Sequence, residues 1–111
     1  MIDINVSGVE QITLVEVSGR VDSMNANELG VALANEIDGG RTLIVLDLAG
    51  VDYMSSAGLR ELVNSLKRAK RATGDLRLAQ PSERVREVLE MAGLDTIFQI
   101  FETQTEAVGS F

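Results

Sequence analysis

The sequence predicts an α/β fold: a mixed β-sheet of four to five strands with helices packed against it. Three observations carry this. Near the N-terminus, Ile2, Ile4 and Val6 alternate with polar residues, and a second alternation starts at Ile12, the period of half-buried strands. Further on, Leu43-Ile44-Val45-Leu46 is an unbroken apolar run, the pattern of a strand covered on both faces. Beyond Gly58 the apolar spacing changes to i, i+3, i+4, i+7 and then returns to alternation around Leu76 and Leu78, so helix and strand alternate as in a layered α/β domain.

Size and composition narrow the function. A chain of 111 residues fits one domain spanning 1–111 and needs no covalent staples. It has neither Cys nor His, which excludes disulfides, thiolate zinc sites, thiol nucleophiles and histidine acid–base chemistry. A Ser-His-Asp triad has no base here, so no serine is expected to act as a hydrolase nucleophile. The formal charge of −7 argues against direct contact with nucleic acid. No apolar run approaches the ~20 residues of a membrane span, and the N-terminus lacks the basic and apolar segments of a secretion signal. The expectation is a cytoplasmic protein with no membrane contact and no cofactor, monomeric when free.

Taken in order, Met1–Val6 reads as a strand, Ser7-Gly8 as a turn, and Gln11–Ser18 as a second strand whose apolar residues fall on both faces, as an inner strand's do. Gly19–Met24 reads as a loop. A helix follows with Asn25 as N-cap, Glu28 at the third helical position and Ala26, Leu29, Leu33 and Ile37 as its inner stripe; Gly39-Gly40 ends it. The central strand is Leu43–Leu48. Asp47 ends its apolar run, either fixing the following loop through an Asx-turn or facing a partner, and Ala49-Gly50 reads as a turn. Ser55-Ser56 then open a helix that continues to about Ala72. Its basic tail, Lys67-Arg68-Ala69-Lys70-Arg71, suits the negative end of the helix dipole. Asp75–Ala79 is a fourth strand. Ser82 caps a third helix with Val85, Val88, Leu89 and Ala92 inward and Gly93 at its left-handed end. Ile97–Phe101 is a short last strand, Thr105–Val108 a turn or so of helix, and Gly109-Ser110-Phe111 a frayed end. Met24, Met54 and Met91 read as core or boundary filler.

Two hydroxyls thus stand where a buried strand feeds a helix N-terminus. Ser is a preferred N-cap there, because its oxygen accepts from orphan N–H groups. The same N–H groups and the positive dipole end also favour an anion. Capping alone and a functional anion site both remain open on these grounds.

The segment Asp47-Leu48-x-x-Val51-x-x-Met54-Ser55-Ser56-Ala57-Gly58-Leu59 resembles, without gaps, the signature of STAS domains of the anti-sigma factor antagonist type, roughly D/N-L-x-x-V-x-[FY]-[ILM]-[DS]-S-x-G-[LIV]. Gly19, Val21 and Asp22 match the family's approach to its first helix, and Met91–Phe98 resembles its C-terminal part. The resemblance implies a single STAS-like domain acting in a partner switch. The unphosphorylated form would bind an anti-sigma factor that is also a serine kinase, phosphorylation would release it, and a serine phosphatase would reset it. The family's acceptor, two residues before the Gly, is Ser56, with Ser55 as the alternative because it replaces the Asp of many members. The implied partner surface comprises Asp22, Ser23, Asn25, Ser55, Ser56, Ala57, Gly58 and Arg60. Asp22 reads equally as a turn former, and Gly58 equally as relief for packing of the helix on the sheet. A non-switching scaffold, or a nucleotide-binding regulatory module in a larger sensory assembly, is the alternative function.

Overall fold

The computed structural model describes every residue, Met1–Phe111. Five strands form one sheet in chain order: β1 (Ile2–Val9), β2 (Ile12–Val21), β3 (Leu43–Met54), β4 (Asp75–Ala79) and β5 (Ile100–Phe101). β1 runs antiparallel to β2, and every other pairing is parallel, so the sheet is mixed, as the sequence predicts. Helices α1 (Ala26–Asp38) and α2 (Ser56–Arg71) cross between the parallel strands, and α3 (Glu83–Met91) precedes a turn of 3-10 helix at Leu94–Thr96. A short α4 (Gln104–Gly109) closes the chain.

The apolar run in β3 divides between two cores by simple alternation. Ile44, Leu46 and Leu48 join Val15, Val17, Leu76 and Leu78 under α1, α2 and α3, which contribute Leu29, Leu33, Leu62, Leu66, Val85 and Leu89. Val45 points the other way and joins Leu14, Ala79 and Ala107 of α4. Burial on both faces is what an unbroken apolar strand requires, and β2 shares it as an inner strand.

Several local expectations are corrected. The hairpin does not turn at Ser7-Gly8: Gly8 pairs with Thr13 and Val9 with Ile12, and the turn falls at Glu10-Gln11 with Glu10 in left-handed backbone, φ 58°. Leu48 does not end β3, nor is Ala49-Gly50 a turn. The strand runs on to Met54 beside β2, with register shifts that set Ser18 opposite Gly50 and Tyr53 opposite Arg20. Gly19–Val21 is likewise strand, not loop. Ala92 is exposed rather than inward, and Ile97 lies ahead of a last strand of only two residues. The C-terminus is not frayed, because Arg77 donates to Ser110 Oγ at 2.8 Å and lies over the Phe111 ring at 4.0 Å. Met54 is buried as expected, but Met24 and Met91 are exposed at 91% and 89%.

Asp47 has the loop-fixing role and a second one. Its Oδ1 accepts from Ala49 N at 2.9 Å; its Oδ2 accepts from Gln80 Nε2 at 2.8 Å and Gln104 Nε2 at 2.7 Å. It is buried and faces α4, not a partner. Asp47→Ala strands these donors, so a loss of about 1–3 kcal/mol is expected in urea unfolding, with faster amide exchange in α4. A variant as stable as the parent would refute this anchoring.

The basic tail of α2 ends the helix as predicted, and it also braces α1. Arg68 forks onto Asp38 with bonds of 3.0 and 2.9 Å, and this hydrogen-bonded guanidinium holds the Asp38 carboxyl below its ordinary range.

Candidate functional site

The site forms at the carboxyl ends of β2 and β3, where parallel strands deliver their following loops to one edge of the sheet. β3 ends at Met54, and Ser55 takes an extended backbone, φ −80° and ψ 169°, as the N-cap of α2. Its Oγ accepts from Gly58 N at 3.2 Å, so the capping role falls to Ser55. Ser56 is the first helical residue and is exposed, with its hydroxyl outside the cap. The two adjacent hydroxyls therefore differ: one is engaged in holding the helix end, the other is presented to solvent.

The loop after β2 is joined to this helix end. Val21 pairs with Met54, and Ser55 N donates to Val21 O at 2.9 Å. Asp22 folds the loop. Its Oδ1 accepts from Met24 N at 2.9 Å and Asn25 N at 3.2 Å, an Asx-type turn, which bears out the turn-forming reading. Its Oδ2 lies 3.8 Å from Arg20 Nε. Arg20, itself largely exposed, stacks on the Tyr53 ring at 3.9 Å.

The structure brings Asp22, Ser23, Ser55, Ser56 and Arg60 to or near the surface at this edge, with Ala57 half-buried among them. It does not so place Asn25 and Gly58. Asn25 stands at the N-cap position of α1 without making a side-chain cap, because its amide is used elsewhere. Nδ2 donates to Arg20 O at 2.8 Å and Oδ1 accepts from Asp22 N at 2.9 Å, so the buried side chain is an internal brace of the loop. Gly58 is buried: a Cβ there would meet Met54 Sδ and lie 2.8 Å from Val21 Cγ1. Its absent side chain lets α2 settle on the strand ends, which selects the packing reading over partner contact.

Sequence reasoning missed Arg20, Tyr53 and Met24. Only the register that sets Arg20 opposite Tyr53 reveals the stacked pair, and no local signal separates an exposed Met from a buried one.

Electrostatics favour an anion at Ser56. The first turns of α1, α3 and α4 each carry a carboxylate, Glu28, Glu83 and Glu106, whereas the first turn of α2 carries none. Its last turn carries the basic residues Arg68, Lys70 and Arg71, and Arg60 follows its first turn. The positive end of the longest helix is thus left without a charged complement.

Ser55→Ala is expected to lose about 0.5–2 kcal/mol of stability with its cap, read by thermal unfolding. An unchanged stability would show that the bond to Gly58 N contributes nothing.

Comparison with known proteins agrees with this architecture. The STAS domain model matches residues 3–107. BtrV of Bordetella bronchiseptica is 35% identical over 103 residues, covering 93% of this chain and 89% of the relative. The anti-sigma-B factor antagonist of Bacillus subtilis is 31% identical over 99 residues, covering 89% of this chain and 90% of the relative. Among solved structures, the Bacillus anti-sigma factor antagonist SpoIIAA superposes in its unphosphorylated form with a TM-score of 0.83 at 20% identity, covering 96% of this chain and 93% of that one. Its phosphorylated form gives 0.76 at 18% identity, covering 97% and 98%. With the domain model matched over nearly its whole length and a relative of similar size above 30% identity, the chain belongs to the STAS domain family.

Proposed function

We propose that this protein is an anti-sigma factor antagonist whose docking is switched by phosphorylation of Ser56. The unmodified form binds an anti-sigma factor with serine kinase activity through the edge formed by the Asp22–Met24 loop and the start of α2, and so frees the sigma factor. Transfer of a phosphoryl group to Ser56 breaks the complex, and a serine phosphatase restores it. The protein acts by binding rather than by catalysis. The observation that carries the reading is the division of labour between the hydroxyls: Ser55 is spent on the cap, while Ser56 is exposed at the first helical position. Support for the partner comes from the relatives named as anti-sigma factor antagonists.

The energetics have the sign a switch requires. A phosphoserine carries about −1.5 to −2 charge at pH 7. At the free helix end this charge complements the dipole, worth about 0.3–2 kcal/mol, so modification leaves the fold intact. Beneath a docked partner, an uncompensated buried charge costs about 3–5 kcal/mol.

The test is phosphosite mapping by mass spectrometry after incubation with the cognate anti-sigma factor kinase and ATP. The phosphate is expected on Ser56 in the parent and in Ser55→Ala, and Ser55 is expected to stay unlabelled in Ser56→Ala. A phosphate on Ser55, or undiminished labelling of Ser56→Ala, would overturn the assignment. No labelling by a kinase that binds the protein would favour the non-switching scaffold.

A further inference from the structure

The geometry points to Met24 as the apolar anchor of the partner interface, inserting into an apolar pocket of the anti-sigma factor. This rests on the function proposed above and adds a residue which neither the family signature nor the capping chemistry requires.

A single exposed apolar side chain is ordinary on a protein surface, so exposure alone carries nothing. What distinguishes Met24 is its mounting. Its side chain is 91% exposed, yet its backbone is fixed. Met24 N donates to Asp22 Oδ1 at 2.9 Å. The next residue, Asn25, is buried and ties Arg20 O to Asp22 N through its amide. The loop is then joined to the α2 cap by the 2.9 Å bond from Ser55 N to Val21 O. A large apolar side chain on a braced loop loses little backbone freedom on docking, the condition under which an anchor contributes most. Methionine's unbranched chain also adapts to the shape of the pocket it enters. The same hydrogen bonds join the Met24 loop to the start of α2 at one edge of the sheet, so a single partner docked on that edge can contact both Met24 and Ser56. That is the arrangement in which a phosphate is felt.

Met91 supplies an internal comparison. It is almost as exposed, at 89%, but lies at the opposite edge of the sheet. α3 begins at the carboxyl edge, where Ser82 Oγ donates to Val51 O at 3.0 Å, and runs back so that parallel β5 can start again from the far edge. Equal exposure with different placement separates an anchor from a merely greasy surface.

The experiment measures the dissociation constant for the purified anti-sigma factor kinase from the same genome, using full-length parent, Met24→Ala, Met24→Leu and Met91→Ala. Met24→Ala is expected to bind about 10- to 100-fold more weakly. Met24→Leu should stay within about threefold, Met91→Ala should match the parent, and all four should melt alike, since no core contact changes. Parent-like binding by Met24→Ala, or an equal loss in Met91→Ala, overturns the anchor while leaving the proposed function standing. A parent chain that does not bind the kinase overturns the proposed function and the anchor with it.

Discussion

Ser56→Asp is expected to fold like the parent and to bind the anti-sigma factor at least about 100-fold more weakly, while Ser56→Ala binds constitutively and cannot be released by ATP. The physical reason is that one charge is placed in two environments. On the free protein, residue 56 is exposed at the first position of a helix whose first turn has no carboxylate. An Asp there supplies the missing negative charge, so its effect on stability is neutral to favourable, within about 1 kcal/mol. In the proposed complex the same carboxylate would be taken from water and face a surface fitted to a neutral hydroxyl. At about 1.4 kcal/mol per decade, a penalty of about 3–5 kcal/mol weakens binding roughly 100- to 4000-fold. Asp carries one charge and phosphoserine up to two, so the substitution belongs at the lower end and the modified protein at the upper.

The measurement is a binding isotherm for each variant beside its melting curve. An Ser56→Asp protein that binds normally would show that this helix start is not covered in the complex. One that melts far below the parent would show that binding was lost through the fold. Ser55→Asp separates charge from position. Asp is as good a cap as Ser, so the Gly58 N bond can be kept. Its carboxylate is turned into the cap and half-buried, and it should affect docking less than Ser56→Asp does.

How much of this was legible before the structure depends on how local each feature is. A serine cap at the start of α2, the cap at Ser82, the left-handed Gly93 and the two-faced burial of β3 are set by neighbours within a few residues, and each stands where the sequence places it. Features that depend on distant partners were misread. Ala49-Gly50 has turn composition, yet pairing with β2 across a register shift holds it as strand. Asp47 makes the loop-fixing bond that its position suggests, but its second acceptor role was hidden because it is completed by Gln80 and Gln104, 33 and 57 residues away. The tail looked frayed because Arg77, which fastens it, is 33 residues back. At the site itself, Asn25 had the right residue type for a cap, but the loop it braces bends back onto Arg20 and claims the amide first. The signature marks a segment; it does not tell which of its residues face solvent.

Gly58 is where that distinction has its largest consequence, and Gly58→Val is expected to destabilise the protein by about 3 kcal/mol, roughly 10–20 °C in melting temperature. The contacts are made by the Cβ itself, so no choice of rotamer avoids them. Met54 Sδ, at the end of a flexible chain, can move aside, although Met54 is itself buried. Val21 cannot: its Cγ1 would lie 2.8 Å from the new carbon, and its side chain is fully buried on a strand paired directly to Met54. The strain must then be relieved by lifting the start of α2 from the strand ends, which loosens the Ser55 N–Val21 O bond and displaces Ser56. Gly58→Ala introduces the same carbon without branching and recovers about 0.8–1 kcal/mol of helix propensity, so it should fall between parent and Val. Partner binding should decline in the same order, as a result of the moved helix rather than of a lost contact. A graded fall in melting temperature from Gly through Ala to Val is the expected result. If Gly58→Val instead melts with the parent but fails to bind, Gly58 is a contact residue after all, and the buried placement is wrong.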